Sequence, residues 1–175
     1  FNAFFQQAPD EEMAGWKADE LNSIAGSMNE LALERKAGEQ KLRVFTTEQN
    51  TVIQIVNDDM PFLVDSITTE LAAQNLTIDV LFHPILNVKR SKPGRLEAVS
   101  GGKNRDAAQP AESYIYIRLE QMLAGNLAEK LSRTLNKILD DVRLATGDWR
   151  ALMSRMDAVV AEQGESQSEA QEFLK

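Results

Sequence analysis

The stretch Thr51-Val52-Ile53-Gln54-Ile55-Val56-Asn57-Asp58-Asp59-Met60-Pro61-Phe62-Leu63-Val64-Asp65-Ser66 decides how the rest of the chain is read. Its first half is rich in β-branched residues, which suit a pleated, half-buried backbone, and it runs into the turn-forming pair Asn57-Asp58. A central strand over 51–57 follows. Pro61 has no amide hydrogen to lose and suits the first turn of a helix. Leu63, Val64, Ile67 and Leu71 then trace one apolar stripe that closes near Asn75. Strand, tight turn and helix succeed one another without slack.

Beyond that helix, Ile78, Val80, Phe82, Leu86 and Val88 fall on alternate positions, as one long strand from Leu76 to Lys89 with a single buried face requires. Pro84 marks an edge or a bulge in it. Residues 91–111 carry Pro93-Gly94, Gly101-Gly102, Asn104 and Pro110 and read as a long mobile hairpin loop. Ile115, Ile117 and Leu119 alternate with Tyr114, Tyr116 and Arg118 in a third strand. Leu127, Leu131, Leu135, Ile138, Leu139 and Val142 form a helical stripe that Gly147 is expected to end. Trp149, Leu152, Met153, Met156 and Val160 predict a further helix, and the polar 164–172 a linker.

Upstream, Pro9-Asp10-Glu11 has the composition of a helix start. Leu21, Ile24, Met28 and Leu31 behind Asp19 predict an amphipathic helix from about 19 to 35 that stops near Gly38. Leu42, Val44 and Phe45 suit an edge strand. The order predicts an α+β fold, a ferredoxin-like sandwich with an antiparallel sheet and helices on one face, plus added N- and C-terminal helices. Residues 42–46 stand in for the usual last strand. The chain divides into an N-terminal helical segment (1–40), the sandwich (41–147) and a C-terminal helix with a linker to further domains (148–175).

Of the 175 residues, 43% are hydrophobic and 26% charged, the balance of a chain that folds in water. No run of eighteen apolar residues occurs and the start lacks the marks of a signal peptide, so a cytoplasmic setting is expected, with no membrane partner. The absence of cysteine excludes disulfides and thiolate chemistry, and His83 alone is a poor basis for a metal site. A formal charge of -8 repels polyphosphates, so no nucleic acid is expected. Paired acids and bases in a cleft are missing, and no glycine-rich fingerprint opens a helix, so neither catalytic nor cofactor-binding residues are assigned.

The turn Asn57, Asp58, Asp59, Met60, Pro61 and Phe62 is the candidate effector site. A helix N-terminus offers amide donors and a positive dipole to a carboxylate, and Asp58 or Asp59 could face an ammonium group. The plainer reading is that the aspartates cap the helix. A second candidate is an outer sheet face of Leu81, His83, Ile85, Tyr114 and Tyr116, too apolar to be left to water. It is covered by the chain's own helix 19–35, by a second copy or by another domain. Lys89, Arg90, Lys92, Arg95, Lys103 and Arg105 make the long loop basic, which suits a solvated loop or a contact with an acidic neighbour. Paired tyrosines on a third strand are shared with RNA-recognition modules, but the Lys/Arg-Gly pair that precedes them there is lacking.

Val56 to Ser66, then Phe82-His83-Pro84-Ile85, then Glu112-Ser113 together resemble the amino-terminal region of large bacterial NAD-specific glutamate dehydrogenases. The likeness continues in looser form to Glu169-Ala170-Gln171-Glu172-Phe173-Leu174, the start of a helix leading to the next segment. The resemblance implies an ACT-type sandwich serving regulation or oligomer contacts. The resemblance implies further that glutamate deamination with NAD belongs to a catalytic domain far downstream. It also implies self-association, contacts with other domains of the parent enzyme, and an amino-acid effector in the 57–62 turn. Many ligand-binding members have glycine after the proline, where this chain has Phe62; a ring there plugs the pocket or inserts into a neighbour. The alternative is a purely structural contact module without ligand, with an RNA-binding sandwich as a remote third reading.

Overall fold

A computed structural model describes residues 4–5, 15–100 and 111–173, with side chains in the last helix described as far as Gly147 and at 155–156. The helix start at 9–11 and the loop segment 101–110 lie outside the described residues. The elements are α1 (Ala18–Ala32), β1 (Lys41–Thr46), β2 (Thr51–Asp58), α2 (Leu63–Ala73), β3 (Ile78–Phe82), β4 (Ile85–Arg90), β5 (Leu96–Ser100), β6 (Ala111–Leu119) and α3 (Gly125–Phe173). They form an α+β sandwich with an antiparallel sheet in the order β1-β2-β6-β4-β5, and β3 also pairs with β6.

The β-branched run at 51–57 is the inner strand β2, buried along nearly its whole length between β1 and β6. The apolar run at 41–46 pairs along its full length with β2, Lys41 opposite Val56 and Thr46 opposite Thr51, and so takes the edge place of a last strand. Ile53 and Ile55 of β2 and Ile115, Ile117 and Leu119 of β6 meet Leu63, Ile67 and Leu71 of α2 and Leu131, Leu135, Leu139 and Val142 of α3 in one core. Both sandwich helices therefore lie on the same sheet face.

The opposite face is covered by the chain itself. Ile24, Ala25, Met28 and Ala32 of α1, with Phe4, pack on Val52, Val56, Phe82, Leu86, Val88, Tyr114 and Tyr116. A polar clasp holds the helix in place: Gln54, 1% exposed, donates to Ser27 Oγ at 3.0 Å and accepts from Arg43 Nη2 at 2.6 Å.

Four expectations from the sequence change. The strand expected over 76–89 divides at His83-Pro84 into β3 and β4. The proline cannot donate to the ladder, although its carbonyl still accepts from the Tyr114 amide at 3.0 Å. The region expected to be a loop contains β5, paired with β4. The faces are exchanged: Phe82 is paired with Tyr116 and Leu81 with Ile117, and residues opposite each other in an antiparallel pair share a face. Leu81 thus goes inward with Ile117, and Phe82 joins the tyrosines. Lastly, Gly147 does not end its helix; α3 continues through the expected linker to Phe173.

Candidate functional site

Asp58 and Glu112 lie directly opposite each other across β2 and β6. Like charges placed so destabilise a sheet unless a cation stands between them. Arg35, just beyond α1 and only 2% exposed, supplies it: Nη2 donates to Asp58 Oδ1 at 2.5 Å and lies 3.0 Å from Glu112 Oε1. Its Nη1 donates to the carbonyls of Glu39 at 2.7 Å and Lys36 at 3.2 Å. Arg90 grips Glu112 in bidentate fashion at 2.7 and 2.8 Å. Its third nitrogen donates to the carbonyls of Ala32, at the end of α1, and Gly94. Arg90 is thus a nearly buried ion-pair member, not a solvated loop base.

From the other side, Arg143 of α3 donates to Asp58 Oδ2 at 2.9 Å and to Asn57 Oδ1 at 2.5 Å. Three guanidiniums therefore surround two carboxylates where β2 ends, β6 begins, and α1 and α3 converge. Gly94 makes this assembly possible. Its φ of +99° suits a residue without Cβ, and a Cβ there would stand 2.5 Å from the Arg35 carbonyl oxygen.

The next residue of the turn faces a different group. Asp59 accepts from Ser113 Oγ at 2.8 Å, and Ser113 Oγ lies 3.1 Å from His83 Nε2. Because the single serine hydrogen goes to the carboxylate, His83 must donate from Nε2. Burial pushes the His83 imidazole below its usual 6.5, against the pull of Asp59. The order Asp-Ser-His leaves the serine donating to Asp59 and accepting from His83 rather than standing as a nucleophile beside a base, unlike a hydrolase triad.

Met60 Sδ accepts from Thr146 of α3 at 3.5 Å. Phe62 is 57% exposed and sits as the N-cap of α2 at φ +67° and ψ 3°. Its ring does not plug the turn. It stands at the rim of two open recesses, one lined by Asp59 to Asp65 with His83 and Ile85, the other a groove between α2 and α3.

The six residues of the candidate effector turn therefore point to different tasks. Asn57 and Asp58 are held by arginines, Asp59 by Ser113, and only Pro61 and Phe62 are fully at the surface. The candidate interface divides as well. Tyr114 and Tyr116 are 3% and 6% exposed under α1, and burial pushes both hydroxyls up, so they are neutral core members. Leu81 packs towards α2 and α3, while His83 and Ile85 line the recess by the turn. Sequence reasoning missed Arg35 and Arg143. The available signal was the register itself, since pairing β2 with β6 sets two carboxylates face to face and demands a base.

The segments that converge on this end of the sheet are far apart in sequence. The family model for the glutamate dehydrogenase ACT1 domain matches residues 1–135. The chain belongs to the glutamate dehydrogenase ACT1 domain family. It is similar to the NAD-specific glutamate dehydrogenase of Halomonas elongata, 26% identical over 167 residues, which is 91% of this chain and 10% of that protein. It is also similar to those of Pseudomonas aeruginosa, 27% identical over 61% of this chain and 6% of the relative, and Mycobacterium tuberculosis, 22% identical over 80% and 9%. The chain spans a tenth or less of the length of these curated relatives. Among the described residues of this ACT1 domain, no helix is long and apolar enough to cross a membrane.

Proposed function

We propose that this ACT1 domain is a non-catalytic regulatory and oligomerisation module of a large cytoplasmic NAD-dependent glutamate dehydrogenase. It works through contact with its neighbours rather than by holding an amino acid at Asp58. Deamination of L-glutamate to 2-oxoglutarate, and the NAD it needs, belong to other parts of the parent polypeptide. The observation that carries the contact reading is Phe62. An aromatic ring left 57% exposed, on a backbone held at φ +67°, is unfavourable for the isolated chain twice over. Insertion into a neighbouring surface would offset both costs. Asp58 supports the same reading: two arginines already hold it, and the surplus guanidinium of the cluster repels an incoming ammonium group.

Phe62→Gly in the full-length enzyme tests this. Glycine accepts the left-handed backbone freely, so the module should be stabilised by roughly 1 kcal/mol. The assembly should nonetheless fall to smaller species by ultracentrifugation. An unchanged assembly would remove the contact reading.

The effector reading keeps one supporting observation, the open recess where Asp59 and His83 meet the start of α2. Calorimetry with a panel of amino acids separates the two. Heat that disappears in Asp59→Ala would favour an effector, and silence across the panel would favour contact alone.

A further inference from the structure

The groove between α2 and α3 has an apolar floor at Ile138 and Val142, Phe62 at its mouth, and the acids Asp65, Glu70 and Asp141 along it. No base lines it among the described residues. Asp65 and Asp141 enter no ion pair among the described residues either, so their charge is open to a partner. Two copies could not pair groove to groove, since three carboxylates on each side would face one another. The same chain carries the complementary charge elsewhere. The tip of the β4–β5 hairpin exposes Lys92, Pro93 and Arg95, and neither base has an ion-pair partner among the described residues. The tip is already folded: Gly94 donates its amide to the Ser91 carbonyl at 2.8 Å, and Ser91 donates to Arg95 at 2.9 Å. Little order would be lost on docking.

We infer that this groove receives the β4–β5 hairpin tip of a second copy of the chain. Pro93 lies against the apolar floor, and Lys92 and Arg95 meet Asp65 and Asp141. The contact is head to tail, so repetition builds a ring or a filament rather than a two-fold dimer. The inference rests on the contact reading above and names its partner.

Charge reversal on each side tests it by sedimentation equilibrium on the whole chain. The wild type should associate, and added salt should dissolve the association. Asp65→Lys with Asp141→Lys, and separately Lys92→Glu with Arg95→Glu, should each weaken association by about tenfold or more, with a cooperative thermal melt retained because all four positions are exposed, the Asp65 change alone lowering it slightly through loss of an acid from the first turn of α2. An equal mixture of the two variants should associate again, because each groove then finds an opposite hairpin. A monomeric wild type, a hairpin reversal without effect, or a mixture that stays monomeric would overturn the inference. If Phe62→Gly still disrupts the full-length assembly while the hairpin reversal does not, the contact reading survives with another partner.

Discussion

In Arg35 one guanidinium answers to four oxygens, two from the turn at Lys36 to Glu39 and two from carboxylates that repel each other. Removing a single member of such a buried cluster leaves uncompensated charge, which costs far more than the cluster contributes net. Arg35→Met should therefore destabilise the chain by about 3–5 kcal/mol in urea denaturation. Adding Asp58→Asn to that variant removes one of the two opposed charges and should recover about 1 kcal/mol or more. If the double variant is no more stable than the single one, repulsion between Asp58 and Glu112 is not what Arg35 relieves.

Among the elements, those whose pattern belongs to one residue run were legible in the sequence. The β-branched run at 51–57, the alternation at 113–120 and the stripes at 63–71 and 127–142 became β2, β6, α2 and the first half of α3. What required a partner to interpret was not legible. The face of the 76–89 strand depends on its register with β6, and alternate apolar residues there are buried on both sides of the sheet, Leu81 under α2 and α3 and Phe82 under α1. In the turn, the aspartates could be seen, but not the arginines that hold them, because Arg35 and Arg143 come from positions 23 and 85 residues away. The stop expected at Gly147 was a misweighted signal. Leu135, Val142, Trp149 and Met156 recur every seven residues across it without a change of phase, and no proline follows. Gly147 is exposed, and an added Cβ would meet open space. Gly147→Ala should accordingly stabilise the chain by roughly 0.5–1 kcal/mol in urea. A loss of stability would mean that the glycine serves as a break after all.

For the whole molecule, the half-buried imidazole gives stability a pH dependence. His83 is held below its usual 6.5, so the unfolded chain takes up the proton first as the medium is acidified. Its contribution is fully present above 6.5 and is lost as pH falls through the folded value. Thermal melts of His83→Gln should therefore show a smaller drop between about pH 7.5 and about pH 5.5 than the wild type. Equal drops would place the acid sensitivity in other groups.

The two arginines that tie the end of α1 to the sheet bear on where this module can be cut. Excising residues 41–147 as the compact unit would strip away Arg35, uncover Tyr114 and Tyr116, and leave Arg90 without the Ala32 carbonyl it holds. The trimmed piece would present a bare oily sheet, with Glu112 left to Arg90 and Asp58 to Arg143. A protease reaching the 33–40 connection would thus sever the covalent tie between the sheet and its cover, although no helix or strand had been touched.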